Sequence, residues 1–382
     1  MNSRERMLLA LNHKQGDRIP LDIGGMAQSG MHHKAYAALR EYYGLERKEP
    51  ELINIITQAA RIDEELMDKM GTDARVVYGK WASPEINIPR IEGNYKVFEN
   101  EFAVGFRMPA DGGLYYDIVS HPLDKDDLQE ALASYAFPDP NEDWRFGVLI
   151  HDTKAARERG KLTVLMGMCP GIYEVGSWLR GFERYLMDML TEPENIGKLT
   201  DILSEMKAQY WEKALSIVGD YIDVINEADD MASQKSLMFS IATYRKLIKP
   251  YHTRIFNRAK KAAPHIKCMF HSCGAVRELI PDLIEAGVEI LNPVQYGADG
   301  MDLKLLKKNF GKDIVFWGGG IDTQSVLQNG TVCEIKNEVK KNIEILGADG
   351  GFVFSPVHII QSGVSPENIV AMIEAVQEFG KY

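Results

Sequence analysis

Short apolar runs alternate with longer segments of helical periodicity along most of the chain. The runs are rich in Val, Ile, Leu and Phe and show little alternation with polar residues, which is typical of strands buried on both faces of a parallel sheet. This pattern predicts eight strands, over residues 18–24, 74–79, 162–168, 221–228, 266–272, 289–294, 313–319 and 351–357.

The segments between these strands carry helix signals. In residues 276–288, apolar residues recur every three or four positions, and Gly287 stands where a C-terminal cap is expected. Residues 331–347 follow the same pattern, and Thr331 and Glu334 have the spacing of a capping box. Strands that each lead to a helix, eight times over, predict an α/β protein with a (β/α)₈ TIM barrel. A doubly wound open sheet is the alternative, although no GxGxxG follows the first strand.

Residues 80–125 break this alternation. Their Gly-rich turns between short β-type runs predict hairpins. We interpret them as an elaborated insertion after the second strand, and such a loop at the catalytic face of a barrel often forms a substrate lid. No repeat, low-complexity tract or interdomain linker interrupts the chain, so we expect one domain over residues 1–382.

Composition and charge narrow the functional class. The 382 residues are 45% hydrophobic and carry a formal net charge of −11, which gives no electrostatic reason to bind DNA or RNA. No apolar run approaches the roughly 18–20 residues of a transmembrane helix, and the first residues predict an amphipathic helix rather than a secretory segment. The four cysteines are dispersed, which fits a reducing compartment. We therefore expect a cytoplasmic protein without nucleic-acid or membrane partners.

Polar residues capable of chemistry collect where the predicted strands end. In a barrel, the loops after these carboxyl ends build the active site. The fourth predicted strand ends in Asn226, Glu227, Asp229 and Asp230, and the fifth ends in His271 and Cys273. The seventh ends in Gly318, Gly319, Gly320, Asp322 and Gln324, and the eighth ends in Ser355, His358 and Gln361. This agreement of position is more informative than any single motif.

The fifth strand suggests a metal site. His271 and Cys273 lie two residues apart at a strand end, so both side chains can face one side of the barrel mouth. Thiolate and imidazole are ligands that Zn²⁺ prefers, and a catalytic zinc usually keeps three protein ligands and an open position. His358 is the candidate third ligand, with Glu227 or Asp229 as a fourth ligand or a supporting partner. The His-x-Cys pair alone is a weak signal and also fits two neighbours at the end of a buried strand.

Other residues keep two interpretations. The glycines at 318–320 could cradle a phosphate or carboxylate through backbone N–H groups, or permit a tight turn. Asp229 and Asp230 could exchange protons, or cap the helix that follows them. His32 and His33 are predicted to begin a surface helix. The sequence contains no GxSxG elbow, P-loop or HExxH motif.

Four longer stretches carry a resemblance: SRERMLLALNHKQGDRIPLDIGG, FHSCGAVRELIPDLIEAGVEILNPVQ, FWGGGIDTQ and GGFVFSPVHIIQ. They resemble the N-terminus and the C-terminal half of the uroporphyrinogen decarboxylase superfamily, whose fold is a (β/α)₈ barrel, so the likeness spans essentially the whole chain. The last three are most similar to the branch of corrinoid (cobalamin)-dependent methyltransferases. Zinc-dependent members of that branch use a His-x-Cys pair and a later cysteine. His271 and Cys273 match the pair, whereas His358 stands in place of the later cysteine.

The resemblance implies a specific chemistry. Members of this branch move a methyl group to or from the cobalt of a corrinoid, which a separate protein usually carries. It implies a corrinoid protein as partner and Zn²⁺ as a Lewis acid. From their place at the strand ends, we expect Glu227, Asp229 and His358 to have catalytic roles, with Glu227 or Asp229 orienting a ligand or exchanging a proton. Residues 318–320 and Gln324 are candidate cofactor contacts. The small-molecule methyl donor or acceptor stays open between thiols, tetrahydrofolate and aromatic methyl ethers, and a homodimer is also open.

Two other functions are compatible with the same fold. True uroporphyrinogen decarboxylases bind carboxylates with an N-terminal arginine-rich motif resembling RQAGR, but the corresponding stretch here, DIGGMAQSGMHHKAY, has no arginine. A metal-free carboxy-lyase would use His358 as proton donor and would need cationic contacts, for which Arg18, Arg107 and Arg180 are candidates. A non-catalytic corrinoid or tetrapyrrole carrier ranks last, because a carrier does not need His, Cys and His to converge at a barrel mouth.

Overall fold

A parallel sheet that curls into a barrel forms the centre of the protein. The computed structural model describes residues 1–80 and 86–382. Their strands are β1 (Leu52–Asn54), β2 (Ala59–Ala60), β3 (Ala74–Val77), β4 (Arg90–Glu92), β5 (Tyr95–Glu99), β6 (Gly105–Pro109), β7 (Asp117–Ser120), β8 (Leu162–Met166), β9 (Val224–Ala228), β10 (Lys267–His271), β11 (Ile290–Asn292), β12 (Val315–Trp317) and β13 (Phe352–Val353). Within the described residues the central sheet has seven parallel strands in the order β13-β12-β11-β10-β9-β8-β3.

Helices surround this sheet. They are α1 (Ser3–Leu11), α2 (His33–Tyr42), α3 (Glu64–Met70), α4 (Leu128–Ser134), α5 (Leu149–Glu158), α6 (Ile172–Arg180), α7 (Phe182–Thr191), α8 (Pro193–Val218), α9 (Ile241–Leu247), α10 (Lys249–Ala262), α11 (Ile280–Ala286), α12 (Leu303–Phe310), α13 (Val326–Asn329), α14 (Val332–Leu346) and α15 (Pro366–Phe379). Short 3₁₀ helices cover Asp143–Arg145, Gly219–Tyr221 and Arg277–Leu279. No helix in the described ranges combines the length and the apolar character needed to cross a bilayer.

Most of the predicted elements are present with shorter bounds. The capping box predicted at the start of α14 is confirmed, because Thr331 accepts from the Glu334 N–H and the Glu334 side chain accepts from the Thr331 N–H. Gly287 caps α11 with φ near 106°, a left-handed conformation that favours glycine. Together with the sheet order, these elements confirm the predicted α/β, TIM-barrel-like fold and exclude the doubly wound alternative, whose strand order would reverse within the sheet.

The predicted first strand, 18–24, is wrong as a regular strand, although the segment closes the barrel. Leu21 forms an isolated parallel bridge to Phe354, and the Asp22 N–H donates to the Phe354 carbonyl at 2.8 Å. On its other side, the Asp73 N–H donates to the Leu21 carbonyl at 2.8 Å, next to β3. Pro20 has no N–H to extend the ladder, and this explains why only a bridge forms.

The inside of the barrel is filled at its amino-terminal end. Met7, Ala10 and Leu11 of α1 pack in one buried cluster with inward residues of the strands, including Val164 and Val224. The helix therefore plugs this end, and open space is left at the carboxyl ends of the strands.

A second, antiparallel sheet lies between β3 and β8 in the chain. Strands β4 to β7 form a four-stranded antiparallel sheet over Arg90–Ser120, which lies in the segment predicted to form hairpins. The part of that prediction that falls on residues 81–85 lies outside the described residues. Phe98 of β5 reaches the lining of the cavity at the barrel mouth. A role of this sheet as a substrate lid stays a prediction.

Candidate metal centre

A cavity of about 440 Å³ opens at the carboxyl ends of the barrel strands. Its wall includes Met166 and Asn226 from the strands, His271 from β10 and His358 from the loop after β13. Apolar side chains make up most of the wall, including Phe98, Phe102, Met168 and Trp178. The position agrees with the rule that barrel enzymes build their sites from these loops.

His271, Cys273 and His358 converge at this cavity. One ligand atom from each lies within 4.8 Å of the other two. The Nε2 of His271 is 3.5 Å from the Cys273 Sγ. A tetrahedral zinc with Zn–N near 2.0 Å and Zn–S near 2.3 Å sets its nitrogen and sulfur ligands about 3.5 Å apart, so this pair fits a shared zinc ion. The three residues predicted as metal ligands are therefore brought together, although 85 residues separate His358 from Cys273.

A buried relay orients His271. Asn292 of β11 is 2% exposed, and its Nδ2 donates to the Trp317 carbonyl at 2.6 Å. That bond turns the Asn292 Oδ1 towards the Nδ1 of His271, at 2.5 Å. Because an amide oxygen only accepts, Nδ1 carries the proton and the Nε2 lone pair is left to face Cys273. This is the arrangement that orients metal-bound histidines in proteins.

The other two candidate ligands are held in a largely buried setting. Burial and the neighbouring His271 lower the pKa of His358 to about 4, so its ring is neutral and can donate a lone pair near neutral pH. Burial and the Asp230 and Glu174 carboxylates raise the pKa of the Cys273 thiol well above its usual value. A bound cation favours the thiolate form of Cys273. Without a cation, the raised pKa keeps the thiol protonated.

Asp230 is the carboxylate closest to this set. Its Oδ1 accepts from the Cys273 N–H at 2.7 Å and lies 4.0 Å from the Nε2 of His271. Glu174 of α6 also lines the cavity, and its Oε2 accepts from the Asp230 N–H at 3.2 Å. Burial and the Asp230 and Asp229 charges raise the pKa of Glu174 well above its usual value. Glu174 is absent from the residues predicted above, because it follows the third predicted strand, where CPGIYEVG was the available signal.

Glu227 and Asp229 lie near the site but face away from it. Glu227 pairs with Lys207 of α8 at 2.9 Å and accepts from the Trp211 indole, behind the sheet. Asp229 accepts from the backbone N–H groups of Tyr173 and Glu174, both at 2.9 Å. It therefore stabilises the start of α6, not the helix that follows it in sequence. Neither carboxylate belongs to the cavity wall, so the catalytic roles predicted for them gain no support from their contacts.

The glycine run also lies outside the cavity wall. The N–H groups of Gly318 and Gly320 already donate to the carbonyls of Val353 and Ser355, at 3.1 and 2.9 Å. A Cβ at Gly320 would lie 2.4 Å from the Phe354 ring, so close packing accounts for the glycine there. Gln324 is exposed. Of the two interpretations of this run, the geometry favours a tight strand-to-loop turn, and cofactor binding there stays an untested prediction.

The arginines considered for a carboxylate substrate are engaged elsewhere. Arg18 pairs with Asp73 at 2.8 Å, and Arg180 is buried against Asp188 at 2.7 Å. Arg107 lies over the Tyr95 ring on the antiparallel sheet. Across residues 1–80 and 86–382, the cavity wall contains no lysine or arginine.

Comparisons with known proteins give the family. The model of the family described as uroporphyrinogen decarboxylase (URO-D) matches residues 99–379. No curated protein matches the chain in sequence. The fold is similar to that of a methyltransferase from Methanosarcina mazei, with 20% identity, a TM-score of 0.68 and 99% of each chain covered.

Weaker likenesses extend to glycoside hydrolases. A psychrophilic family 10 endo-β-1,4-xylanase is 8% identical with a TM-score of 0.41, over 62% of this chain and 83% of that one. A Penicillium canescens endo-1,4-β-xylanase is 13% identical with a TM-score of 0.39, over 63% and 81%. These scores carry no argument about function. The family match covers most of the chain, and this protein belongs to the uroporphyrinogen decarboxylase family.

Proposed function

We propose that this protein is a zinc-dependent methyltransferase that moves a methyl group between a small molecule and the cobalt of a corrinoid carried by a partner protein. The observation that carries the proposal is the convergence of His271, Cys273 and His358 at the cavity, with the Nε2 of His271 already oriented. The similar fold of a protein described as a methyltransferase supports the same reaction class.

The residues of the chain have separate roles in this proposal. His271, Cys273 and His358 would hold the metal, which as a Lewis acid favours the anionic form of a thiol or hydroxyl at neutral pH. Asp230 fixes the Cys273 backbone through its N–H. When the methyl group leaves, the bonding electron pair stays on the heteroatom, which becomes an anion. Glu174, whose pKa is raised, is placed in the cavity wall to supply a proton to it.

The carboxy-lyase alternative fits the cavity less well. A substrate with several carboxylates needs cationic contacts, and the described part of the cavity wall offers none. Ala27 and Gln28 line the cavity from the stretch DIGGMAQSGMHHKAY. The segment in which decarboxylases carry their arginine motif therefore has no arginine here and reaches the site only through uncharged side chains.

The proposal is tested first by the metal content of the full chain, purified without chelator. We expect about one zinc per chain, as for a single catalytic site, and its loss in Cys273→Ala and His358→Ala. Cys169→Ala is the matched control, since Cys169 lines the same cavity but is not in the convergent set. Wild-type protein that binds no zinc even when zinc is supplied would contradict the proposal.

Turnover separates the two reactions of the family. Zinc-loaded protein should methylate reduced cobalamin from a methylated small molecule, which is followed by the visible spectrum of the corrinoid. The Cys273→Ala variant should lose this activity and Cys169→Ala should keep it. Release of carbon dioxide from a tetrapyrrole carboxylate by metal-free protein would instead support the carboxy-lyase.

A further inference from the structure

Asn226 presents an unused hydrogen-bond acceptor at the floor of the cavity. Val224 packs inside the barrel, and side chains alternate along a strand, so Asn226 of β9 also points inwards. Its Nδ2 donates to the Gln28 Oε1 at 3.1 Å and contacts the Met166 Sδ at 3.4 Å. Its Oδ1 is buried and has no hydrogen-bond partner, and the residue is 1% exposed.

A buried acceptor without a hydrogen-bond partner is energetically unfavourable. Leaving such a group unpaired costs about 1–3 kcal/mol, and unpaired buried groups in native proteins are uncommon. Because the Asn226 Nδ2 is already engaged, the amide is held with its oxygen free. A ligand that brings a hydroxyl or an N–H group to this oxygen would recover the lost bond.

The charge of the cavity wall restricts that ligand further. Glu101, Glu174 and Asp230 are the charged residues among the described part of the wall, and all three are acidic. Glu101 is paired with Arg145 at 2.5 Å, and Glu174 is the proton donor of the proposed reaction, which leaves the Asp230 carboxylate as the negative charge of this wall. The described wall has no lysine or arginine to bind an anion, so an anionic ligand would face the Asp230 carboxylate with only the proposed metal to offset the repulsion.

The shape of the wall favours a small ring. Phe98, Phe102 and Trp178 contribute aromatic surface, and the volume of about 440 Å³ lies in the range of small-molecule sites. Asn226 pairs with Met269, two residues before His271 on β10. Two residues along a strand span roughly 6–7 Å, so a molecule of one ring can reach both the floor and the metal centre.

We propose that the methyl-bearing substrate carries no negative charge and donates a hydrogen bond to the Asn226 Oδ1, so that Asn226 is a specificity-determining residue. This inference rests on the proposed function, because it concerns the substrate of the same cavity. It predicts that uncharged methyl ethers of hydroxylated aromatic rings bind better than their carboxylated or unsubstituted counterparts.

The test is binding of three matched probes to the full zinc-loaded chain by titration calorimetry. The probes are 2-methoxyphenol, methoxybenzene and 2-methoxybenzoate, which share the methyl ether and differ in the neighbouring group. We expect 2-methoxyphenol to bind about tenfold more tightly than methoxybenzene, the effect of one hydrogen bond, and 2-methoxybenzoate to bind more weakly than both. Asn226→Leu should bring the first two within about twofold of each other.

A second buried asparagine provides the matched control. Asn342 is 1% exposed, lies outside the cavity wall and donates to the Gly320 carbonyl at 3.2 Å. Asn342→Leu should keep the preference of wild type for 2-methoxyphenol. Loss of the preference in this variant but not in Asn226→Leu would overturn the assignment to Asn226.

The wild-type binding order tests the inference even if a variant does not fold. Equal binding of the three probes, tightest binding of 2-methoxybenzoate, or failure of 2-methoxyphenol to bind would each overturn it. Zinc content and methyl transfer are measured separately. If zinc is bound and transfer occurs but the binding order fails, the specificity inference is wrong and the proposed function stands. If the order holds without zinc-dependent transfer, the proposed function is wrong and the recognition by Asn226 stands.

Discussion

Replacement of Asn292 by leucine should weaken zinc binding without touching a metal ligand. Asn292→Leu removes the oxygen that accepts from the His271 Nδ1 at 2.5 Å and the donor to the Trp317 carbonyl at 2.6 Å. Loss of such a supporting partner typically costs 10–100-fold in metal affinity, which is about 1.4–2.7 kcal/mol. The His271 ring then loses the bond that directs its Nε2 towards Cys273.

The assay is competition for zinc against a chromophoric chelator at one fixed pH. Asn292→Asp serves as the conservative variant, because a carboxylate still accepts from Nδ1, and it should keep zinc affinity near that of wild type. Asn342→Leu is the control for stability. Asn342 is 1% exposed and donates to the Gly320 carbonyl at 3.2 Å, away from the metal set.

The two possible effects of the substitution are separable. Both leucine variants leave buried polar groups unpaired, which costs about 1–3 kcal/mol of unfolding free energy per group. We therefore expect both to unfold at lower denaturant concentration, but only Asn292→Leu to lose zinc affinity. Zinc affinity of Asn292→Leu within twofold of wild type would refute the reasoning that Asn292 orients His271.

Three further predictions follow from buried groups. Glu227→Gln should lower the free energy of unfolding by about 3–5 kcal/mol, because it leaves the buried Lys207 ammonium without a counter-charge, and the double variant Lys207→Met/Glu227→Leu should recover much of it in urea denaturation. Zinc content should not change in either, and its loss would contradict the view that this pair lies outside the metal centre. Burial lowers the pKa of His32 from about 6.5 to about 4, so stability from its neutral ring is complete above pH 6.5 and is lost as the pH falls towards 4. His32→Asn, which keeps the cap on the Lys34 N–H, should show less acid destabilisation than wild type in this pH range; equal acid sensitivity would refute this. His358→Cys should retain about one zinc per chain, since a thiolate is as suitable a ligand as the imidazole it replaces, and loss of zinc would show that the position requires histidine.

The helix α2, which His32 caps, could be predicted only in part from the sequence. A helix does begin at this point, since His32 is the N-cap of α2. The expected surface position is wrong, because His32 is 1% exposed. Its N–H donates to the Ile360 carbonyl, next to the loop that carries His358, and this contact between distant segments has no local signal. The helix start was readable from nearby residues, but its burial was not.

The fold was largely predictable because its strands are buried on both faces. Continuous apolar runs separated by helical segments identify the parallel sheet and its order in the chain. The failure at residues 18–24 has a local cause, since Pro20 removes a ladder donor and the side chain of Asp22 accepts from the Gly25 N–H at 2.8 Å. Hydropathy alone does not distinguish such a bridged segment from a strand.

The same continuous burial explains why the sequence did not show that Glu227 of β9 faces away from the cavity. On a strand with one polar face, alternation shows which residues point together. In VINEA apolar residues fall on both faces of the strand, so the alternation is not visible in the sequence. Val224, Asn226 and Ala228 point into the barrel, whereas Glu227 points to α8. Once the inward position of Val224 is known, the alternation assigns Asn226 to the cavity and Glu227 to the helix layer.

His271 shows the opposite case, in which strand position and residue type were enough to place the residue at the cavity. It lies at the last residue of β10, where an inward side chain meets the cavity, and Cys273 follows in the loop. Asn292 pairs with His271 in register on β11 and stands before Pro293, so its sequence context indicated only a strand end. The candidate metal ligands could be proposed from their chemistry, while the residue that orients His271 required the register of the neighbouring strand. The group that orients His271 is therefore what the structure adds to the sequence at this site, and the zinc affinity of Asn292→Leu measures that addition.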